Sequence, residues 1–372
     1  MRVLFAADLH QGLISNSRPD PTTGIPSRIL DVNRCWQAAV DIAIERQAGV
    51  VIVAGDVFHG PNPDATSLNL FWTGLDRLRR ENVGVVMIPG NHDRAPHPGQ
   101  SSVLGIFEDL DAQIVIAAAP GIYGCKDLDV ACLPSASRHQ LVSGGRTRAA
   151  ADEDIVDHLR RITDSFRTSS PQVLTGHWPI AGTVIGGEKD IALIPEPMLQ
   201  PADLDGPWFV GFGHIHKEQG FAAGEAAGAY PGAIDRMNFG EEDRDPSVLE
   251  VDVDGKGRAT GFIRHPLPAT RFVTLDIEQP WDEADLEDAI VRMRGVPESE
   301  VQTLRNVAMA LGARSVHIEV AREARTAPRA AAITTAPGPL EALDVYLEAR
   351  GVPEEDRPAI RDEAKQIVEQ AS

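Results

Sequence analysis

The chain has 372 residues, 42% of them apolar and 24% charged, with a net charge of −20 at pH 7. That composition supports a core of ordinary size and excludes a disordered chain; the acidic balance excludes a generic nucleic-acid binder held by an overall basic surface. It leaves room for a nuclease, because metal ions and a local Arg patch can place positive charge where it is needed. Three cysteines, Cys35, Cys125 and Cys132, form no redox or metal pair, so a reducing, cytoplasmic setting is expected. No signal peptide and no apolar run of about 20 residues is visible, so no membrane role is expected.

The first third alternates short apolar runs with helical patterns. Val3–Ala7 ends at Asp8, Val50–Ala54 ends at Gly55-Asp56, and Val83–Ile88 ends at Pro89-Gly90. Between them, Arg28–Arg46 and Thr66–Arg80 carry apolar residues at helical spacing. Uninterrupted apolar runs between helices predict buried strands of a sheet with helices on both faces. Ile114–Ala118, Asp129–Leu133, Gln172–Thr175 and Trp208–Phe212 read as further strands, and Asp152–Ser165 as a helix capped by Asp152. Ser143–Ala150 reads as a loop, and Ser247–Val253 with Thr260–Arg264 as two strands about a turn at Asp254-Gly255.

Two closely spaced prolines place a boundary near His265–Pro268. Beyond it a strand (Arg271–Ile277), a helix (Asp282–Arg294) and a strand (Ser315–Arg322) are expected. Thr326–Pro339 is rich in Ala, Thr and Pro and reads as a linker; Leu340–Arg350 and Glu354–Gln370 read as two amphipathic helices. The expected organisation is a catalytic domain over residues 1–265, a small capping domain over 266–325, a linker over 326–339 and a helical tail over 340–372.

The chemistry sits at the ends of the strand-like runs. They deliver Asp8-x-His10, Gly55-Asp56-x-x-His59, Gly90-Asn91-His92-Asp93, Gly176-His177 and Gly213-His214-x-His216. Loops at the carboxyl ends of parallel strands share one crevice, so these scattered segments should converge. Carboxylate, imidazole and amide oxygen suit a pair of divalent ions such as Mn²⁺, Fe²⁺ or Zn²⁺. Asp-x-His and His-x-His are expected to put both side chains on one side of an extended strand end. Glycine before the ligands lets backbone approach the ions closely. Two ions about 3.5–4 Å apart can activate a water and clamp an in-line displacement at phosphorus. Each fragment alone has a bland explanation, as a turn or a surface pair; the five in this order do not. His139, His158, His265 and His317 read as ordinary residues.

The five segments together resemble the calcineurin-like metallophosphoesterases, a superfamily of phosphatases, phosphodiesterases and nucleases. Three features narrow the resemblance: Phe58-His59 after Asp56; the stretch Tyr230-Pro231-Gly232-Ala233-Ile234-Asp235-Arg236 running to Asn238-Phe239-Gly240-Glu241-Glu242; and the helical tail. These are similar to the SbcD-type nucleases of DNA double-strand-break repair. The resemblance implies a two-sheet α/β sandwich with a small α+β capping domain and a helical C-terminal tail. It implies two divalent ions, most often Mn²⁺, with Asp8, His10 and His216 on one, Asn91, His177 and His214 on the other, and Asp56 between them. His92 would stabilise the transition state or protonate the leaving oxygen. His59 would orient DNA or water, or hydrogen-bond a ligand.

The implied reaction is phosphodiester hydrolysis in DNA, with an SbcC-type coiled-coil ATPase bound through residues 340–370 and a homodimer formed near the N-terminal half. A small-substrate phosphodiesterase of the same superfamily is the other reading, and a scaffold that has lost catalysis is disfavoured because every ligand position is filled. Arg94, His97, Lys217 and Arg236 adjoin the motifs and could meet phosphates, with Arg138, Arg146 and Arg148 extending the patch, or could simply form a solvated face. DNA binding by so acidic a chain alone is expected to be weak and steeply salt-dependent.

Overall fold

The computed structural model describes residues 1–372 apart from 96–99, 109, 136–147, 168, 170, 185–196, 207, 225, 255–258, 260, 278–285, 322–338 and 372. Residues 326–338 of the expected linker, the Asp254-Gly255 turn in part, and His97, Arg138, His139 and Arg146 lie outside the described residues, as does the side chain of Arg148; the last linker residue, Pro339, opens a helix.

Two six-stranded sheets carry the fold. The first runs β12 (Ile263–Pro266), β11 (Ser247–Asp252), β1 (Arg2–Ala6), β2 (Val50–Ala54), β3 (Gly84–Ile88), β4 (Ile114–Ile116). β1 to β4 are parallel, with Val3 opposite Val50 and Val50 opposite Gly84, while β11 and β12 close the sheet antiparallel. The second runs β5 (Gly121–Cys125), β6 (Leu128–Leu133), β7 (Val173–His177), β8 (Phe209–Gly213), β10 (Ala226–Tyr230), β9 (Gln219–Ala223), parallel from β6 through β10 with antiparallel edges.

Strand alternation explains the uninterrupted apolar runs. Val3, Phe5, Val50, Ile52, Val86 and Ile88 pack between the sheets against Val130, Cys132, Val173 and Phe209. Their neighbours Leu4, Ala6, Val51 and Val53 face outward, into a core shared with α1 (Ser27–Glu45) and α2 (Ala65–Arg80). On the opposite outer face, Leu174, Val210 and Phe212 meet Ile155, Leu159 and Phe166 of α3 (Arg148–Arg167). Both faces of both sheets are therefore buried, and each fully buried Val, Leu or Phe contributes about 1.5–3 kcal/mol. Gly211 leaves room for the Phe5 ring, which a Cβ there would meet at 2.2 Å.

Four expectations are corrected. Helices cover one face of each sheet and not both, because the other face buries its apolar side chains against the opposite sheet. Asp152 lies inside α3 rather than capping it, and residues 148–150 are helical rather than loop. Within the expected helix Asp282–Arg294, residues 282–285 lie outside the described residues and the rest leads into a strand, β14 (Ile290–Val296). Ile290, Val291 and Met293 are buried there beside β13 (Phe272–Asp276), so sheet pairing overrides the helical spacing. The helix of this region is instead α4 (Val301–Ala310), followed by β15 (Ser315–Val320), which completes a three-stranded sheet.

The chain divides into two compact units: Met1–Arg294 with Gln302–Ile318, and Gly295–Val301 with Glu319–Ser372. Within the first, a buried ionic network fastens the segment that follows β10. Arg28 of α1 pairs with Asp31 at 3.1 Å and Asp235 at 2.8 Å; Asp235 also accepts from the Thr270 backbone at 2.6 Å. Arg314 joins the network through Asp31, and through Asp288 at 2.7 Å. Within the second, α5 (Pro339–Ala349) and α6 (Arg357–Ala371) form a helical hairpin with Leu347 buried and an Arg361–Asp344 ion pair at 3.2 Å. Gly351, at φ +66°, takes the left-handed position that ends α5. No helix among the described residues is long and apolar enough to cross a membrane.

Candidate metal centre

β1, β2 and β3 in one sheet and β7 and β8 in the other end at a common edge, where the motif residues collect. The loops after β1 and β2 are knitted through their backbones. Asp8 N–H donates to Gly55 O at 3.1 Å, His10 N–H to Asp56 O at 2.9 Å, and His59 N–H to Gln11 O at 3.0 Å. This pairing carries a correction. Asp8 and His10 are not on an extended strand; their φ angles are 51° and 50°, and Asp56 and His214 are also left-handed, at 51° and 98°. Such conformations cost about 1–3 kcal/mol each for non-glycine residues and collect at functional sites. The two-residue spacing works because alternate residues bend toward the same point.

Glycines do what their positions suggest. A Cβ on Gly90 would lie 2.1 Å from Asp56 Oδ1, and one on Gly55, itself at φ +89°, would lie 2.2 Å from His177 Nδ1. Asp93 completes the scaffold. It is fully buried and accepts from the backbone N–H groups of Phe58 (2.8 Å), Val57 (2.9 Å) and Gly90 (3.1 Å), tying the β2 and β3 loops together. Burial, then the nearby Asp56 carboxylate, push Asp93 up to about 7. The motif containing Asp93 is plain in the sequence; its role is not, because the partners are backbone atoms of another loop.

Two groups of donors face each other across this edge. In one, His177 Nε2 lies 3.0 Å from Asn91 Oδ1 and 3.4 Å from Asp56 Oδ2, and His214 Nδ1 lies 3.1 Å from the same Asn91 oxygen. In the other, His10 Nε2 lies 3.2 Å from His216 Nε2 and 3.8 Å from Asp56 Oδ2, with Asp8 clustered beside both rings. Asp8 also accepts from the His214 backbone N–H at 3.1 Å.

The tautomers follow from the outer contacts. His177 Nδ1 lies 2.8 Å from Ala54 O, so that nitrogen carries a proton. His216 Nδ1 lies 2.9 Å from Glu241 Oε1 and does the same. The Nε2 lone pair of His177 then points at other lone pairs, those of the Asn91 and Asp56 oxygens, while His216 Nε2 faces His10 Nε2. Buried acceptors facing acceptors repel unless a cation, or a proton, lies among them. The donor set therefore fits divalent cations held by carboxylate, imidazole and amide oxygen. The protonation equilibria express the same field. Burial disfavours the charged His177 ring, yet Asp56 and Asp8 together raise it to about 9. Burial and the His177 ring push His214 down to about 3. Burial alone would raise Asp56, but His177 and His10 hold it far below the carboxylate range.

His59 and His92 form an outer rim. His59 Nδ1 is 3.4 Å from His10 Nδ1, and the His59 carbonyl is 2.9 Å from His92 Nδ1. His92 also donates its backbone N–H to Asp56 Oδ1 at 2.8 Å. His10, His59 and His92 make a third group with ligand atoms within 4.8 Å of one another. All nine expected site residues thus come together. Of the suggested phosphate contacts, Lys217 is exposed, whereas Arg236 is 13% exposed and donates to Thr270 O at 2.8 Å. Glu241, to which the sequence assigns no role, is buried against His216; its position 25 residues after that ligand gives no hint of contact.

Residues 1–218 match the calcineurin-like phosphoesterase family. The chain is 24% identical over 298 residues to the DNA double-strand break repair protein Mre11 of Archaeoglobus fulgidus, covering 78% of this chain and 62% of that one. It is 25% identical over 284 residues to the SbcD component of the nuclease SbcCD of Bacillus subtilis, covering 70% and 68%. The same component of the Rhodobacter capsulatus nuclease matches at 25% over 299 residues, covering 72% and 70%. The match thus spans less than two thirds of the archaeal relative. A family match over more than half the chain, on a fold of two mixed sheets whose strand ends gather a dinuclear-type donor set, has one meaning: this chain belongs to the calcineurin-like phosphoesterase family.

Proposed function

We propose that the chain is a metal-dependent DNA nuclease that hydrolyses phosphodiester bonds during end processing, acting as the nuclease subunit beside a coiled-coil ATPase. The observation that carries this reading is the convergence of Asp8, His10, Asp56, Asn91, His177, His214 and His216 on one sheet edge, with His59 and His92 at its rim. The names of the relatives, a repair protein and a nuclease component, supply the substrate class.

Asp8, His10 and His216 would hold one ion, Asn91, His177 and His214 the other, and Asp56 would serve both, with Mn²⁺ as the proposed metal. Bound there, the ions supply Lewis acidity and positive charge toward a phosphodiester. The protein's own groups do the rest. His92, donating Nδ1–H to the His59 carbonyl, keeps Nε2 for the substrate, and its doubly protonated ring would give the Nε2 proton to the leaving oxygen and return to the neutral Nδ1–H form. His59 backs His10 and lines the approach of the strand. The organisation is a nuclease domain over 1–265, a cap over 266–325, a linker over 326–339 and a partner-binding tail over 340–372. The exposed Tyr346 and Ile360 on α5 and α6 offer an apolar surface to the ATPase. A homodimer and a cytoplasmic location complete the proposal.

The test is digestion of end-labelled linear duplex DNA by the purified chain with Mn²⁺, against an EDTA control. Metal-dependent shortening from the ends is expected. Hydrolysis of a simple diester with no shortening of DNA, alone or with the ATPase present, would overturn the DNA assignment in favour of a small-substrate phosphodiesterase.

A further inference from the structure

We infer that Glu241 is a positioning residue for His216, and that the stretch from Tyr230 to Glu241 serves as an outer brace for the metal-ligand histidines. This rests on the two-ion reading above and deepens it.

The brace is visible at three points. Tyr230 donates its hydroxyl to Trp178 O at 2.8 Å, which fixes the backbone just after His177. Ala233 N–H donates to His216 O at 3.2 Å, and Gly232, at φ +79°, comes so close that a Cβ there would lie 2.7 Å from that same carbonyl. Glu241 then holds the ring itself. Its Oε1 accepts from His216 Nδ1 at 2.9 Å, while Oε2 accepts from Met237 N–H at 2.8 Å. Arg244 NH1 stands 3.1 Å from Oε1, and the carboxylate is 3% exposed. Glu241 is therefore locked from two sides before it meets the imidazole. Asp235, midway along the stretch, anchors it to α1 through Arg28 at 2.8 Å.

The chemistry of this contact differs from its counterpart. His177 leans on a neutral carbonyl, Ala54 O. His216 leans on a carboxylate, which fixes the Nδ1–H tautomer and makes Nε2 a stronger donor. Removing such an orienting partner typically lowers metal affinity about 10- to 100-fold. The effect should fall on the ion that His216 holds and spare the one that His177 holds.

The measurement is Mn²⁺ binding to the full chain, by calorimetric titration and by electron paramagnetic resonance, for the unaltered protein, Glu241→Ala, Glu241→Gln and Glu242→Gln. Glu242 is the neighbouring control; its carboxylate takes the Thr274 hydroxyl at 2.5 Å. The unaltered chain should bind two ions. Glu241→Ala should weaken one of them about 10- to 100-fold and leave the other unchanged. Glu241→Gln, which keeps an acceptor oxygen but no charge, should fall between, and Glu242→Gln should match the unaltered chain. Should Glu241→Ala fail to melt cooperatively, Glu241→Gln carries the test by the same criterion. Two ions bound at unchanged affinity by a folded Glu241 variant overturn the inference alone, as does an equal loss in Glu242→Gln. Failure of the unaltered chain to bind two ions overturns the metal reading beneath it.

Discussion

The two sides of the metal edge are built differently. The side formed after β1, β2 and β3 is knitted by backbone hydrogen bonds: Asp8 to Gly55, His10 to Asp56, His59 to Gln11, with Asp93 clasping three further N–H groups. The side formed after β7 and β8 is held by side chains, through Tyr230, Asp235 and Glu241. The backbone bonds on that side, the Asp93 clasp apart, depend little on side-chain identity and leave Asp8, His10 and His59 few alternative positions. Side-chain bracing is adjustable, since one substitution changes the charge behind a ligand. The same edge thus has a rigid side and a tunable side, and mutations should separate them.

The largest effect is expected where the sides meet. Asp56 lies 3.4 Å from His177 and accepts from His92 N–H at 2.8 Å, so Asp56→Ala removes the carboxylate common to both. DNA digestion with Mn²⁺ should be lost by at least about 10⁴-fold; activity within tenfold of the unaltered chain would show that Asp56 is not shared. Next comes His92→Gln, which touches the rim without removing a donor from either group. It should lower the turnover rate about 10²- to 10⁴-fold while two Mn²⁺ ions still bind. Loss of an ion in that variant would make His92 a ligand and erase the distinction between rim and centre.

A third change tests whether the two sides share one foundation. Phe5, fully buried, packs on Phe209 with ring centroids 5.4 Å apart, one from each sheet. Phe5→Ala should cost about 3–5 kcal/mol in denaturant unfolding, in a single transition for both sheets. Two separate transitions would mean that the sides fold independently.

The smallest effect is expected away from this donor cluster, at Glu250 of β11. Arg46 donates to it at 2.7 Å, and His265 and Arg2 stand at 2.7 and 2.6 Å. The hydrogen bonds from Arg46 lead in holding the Glu250 carboxyl down at about 2. A carboxyl lowered on folding contributes stability above its unfolded value, near 4.5, and loses it as pH falls toward 2. Glu250→Gln should therefore cost about 1–2 kcal/mol at pH 7, reduced by the partial exposure of its arginine partners. The difference should shrink between pH 5 and pH 2. A constant difference across that range would assign the effect to packing.

Much of the fold is legible in the chain's spacing. The runs ending at Asp8, Asp56 and Asn91 declare strands buried on both faces, because a helix or a half-exposed strand would interrupt them with polar residues. Glycine before Asp56, Asn91, His177 and His214 signals close backbone approach, and a Cβ on Gly55 or Gly90 would meet His177 or Asp56 as that predicts. Elsewhere periodicity misleads. Residues of β14 carry helical spacing but pair with β13, since burial between neighbours outweighs a weak local preference. β9 and β10, rich in Ala and Gly, carry no apolar pattern at all and exist because β8 offers them a partner edge.

By itself the sequence determined the chemical types at the centre, the strands that deliver them and the glycines that admit them. These are local matters, written in spacing and in the identity of adjacent residues. Tertiary structure alone decided the left-handed bend of Asp8 and His10, the service of Asp93 as a clasp and the closure of Glu241 on His216. Each of these joins atoms distant in the chain. Which nitrogen of an imidazole keeps its proton depends on the carbonyl or carboxylate that packing brings to it, and no spacing along the chain encodes that neighbour.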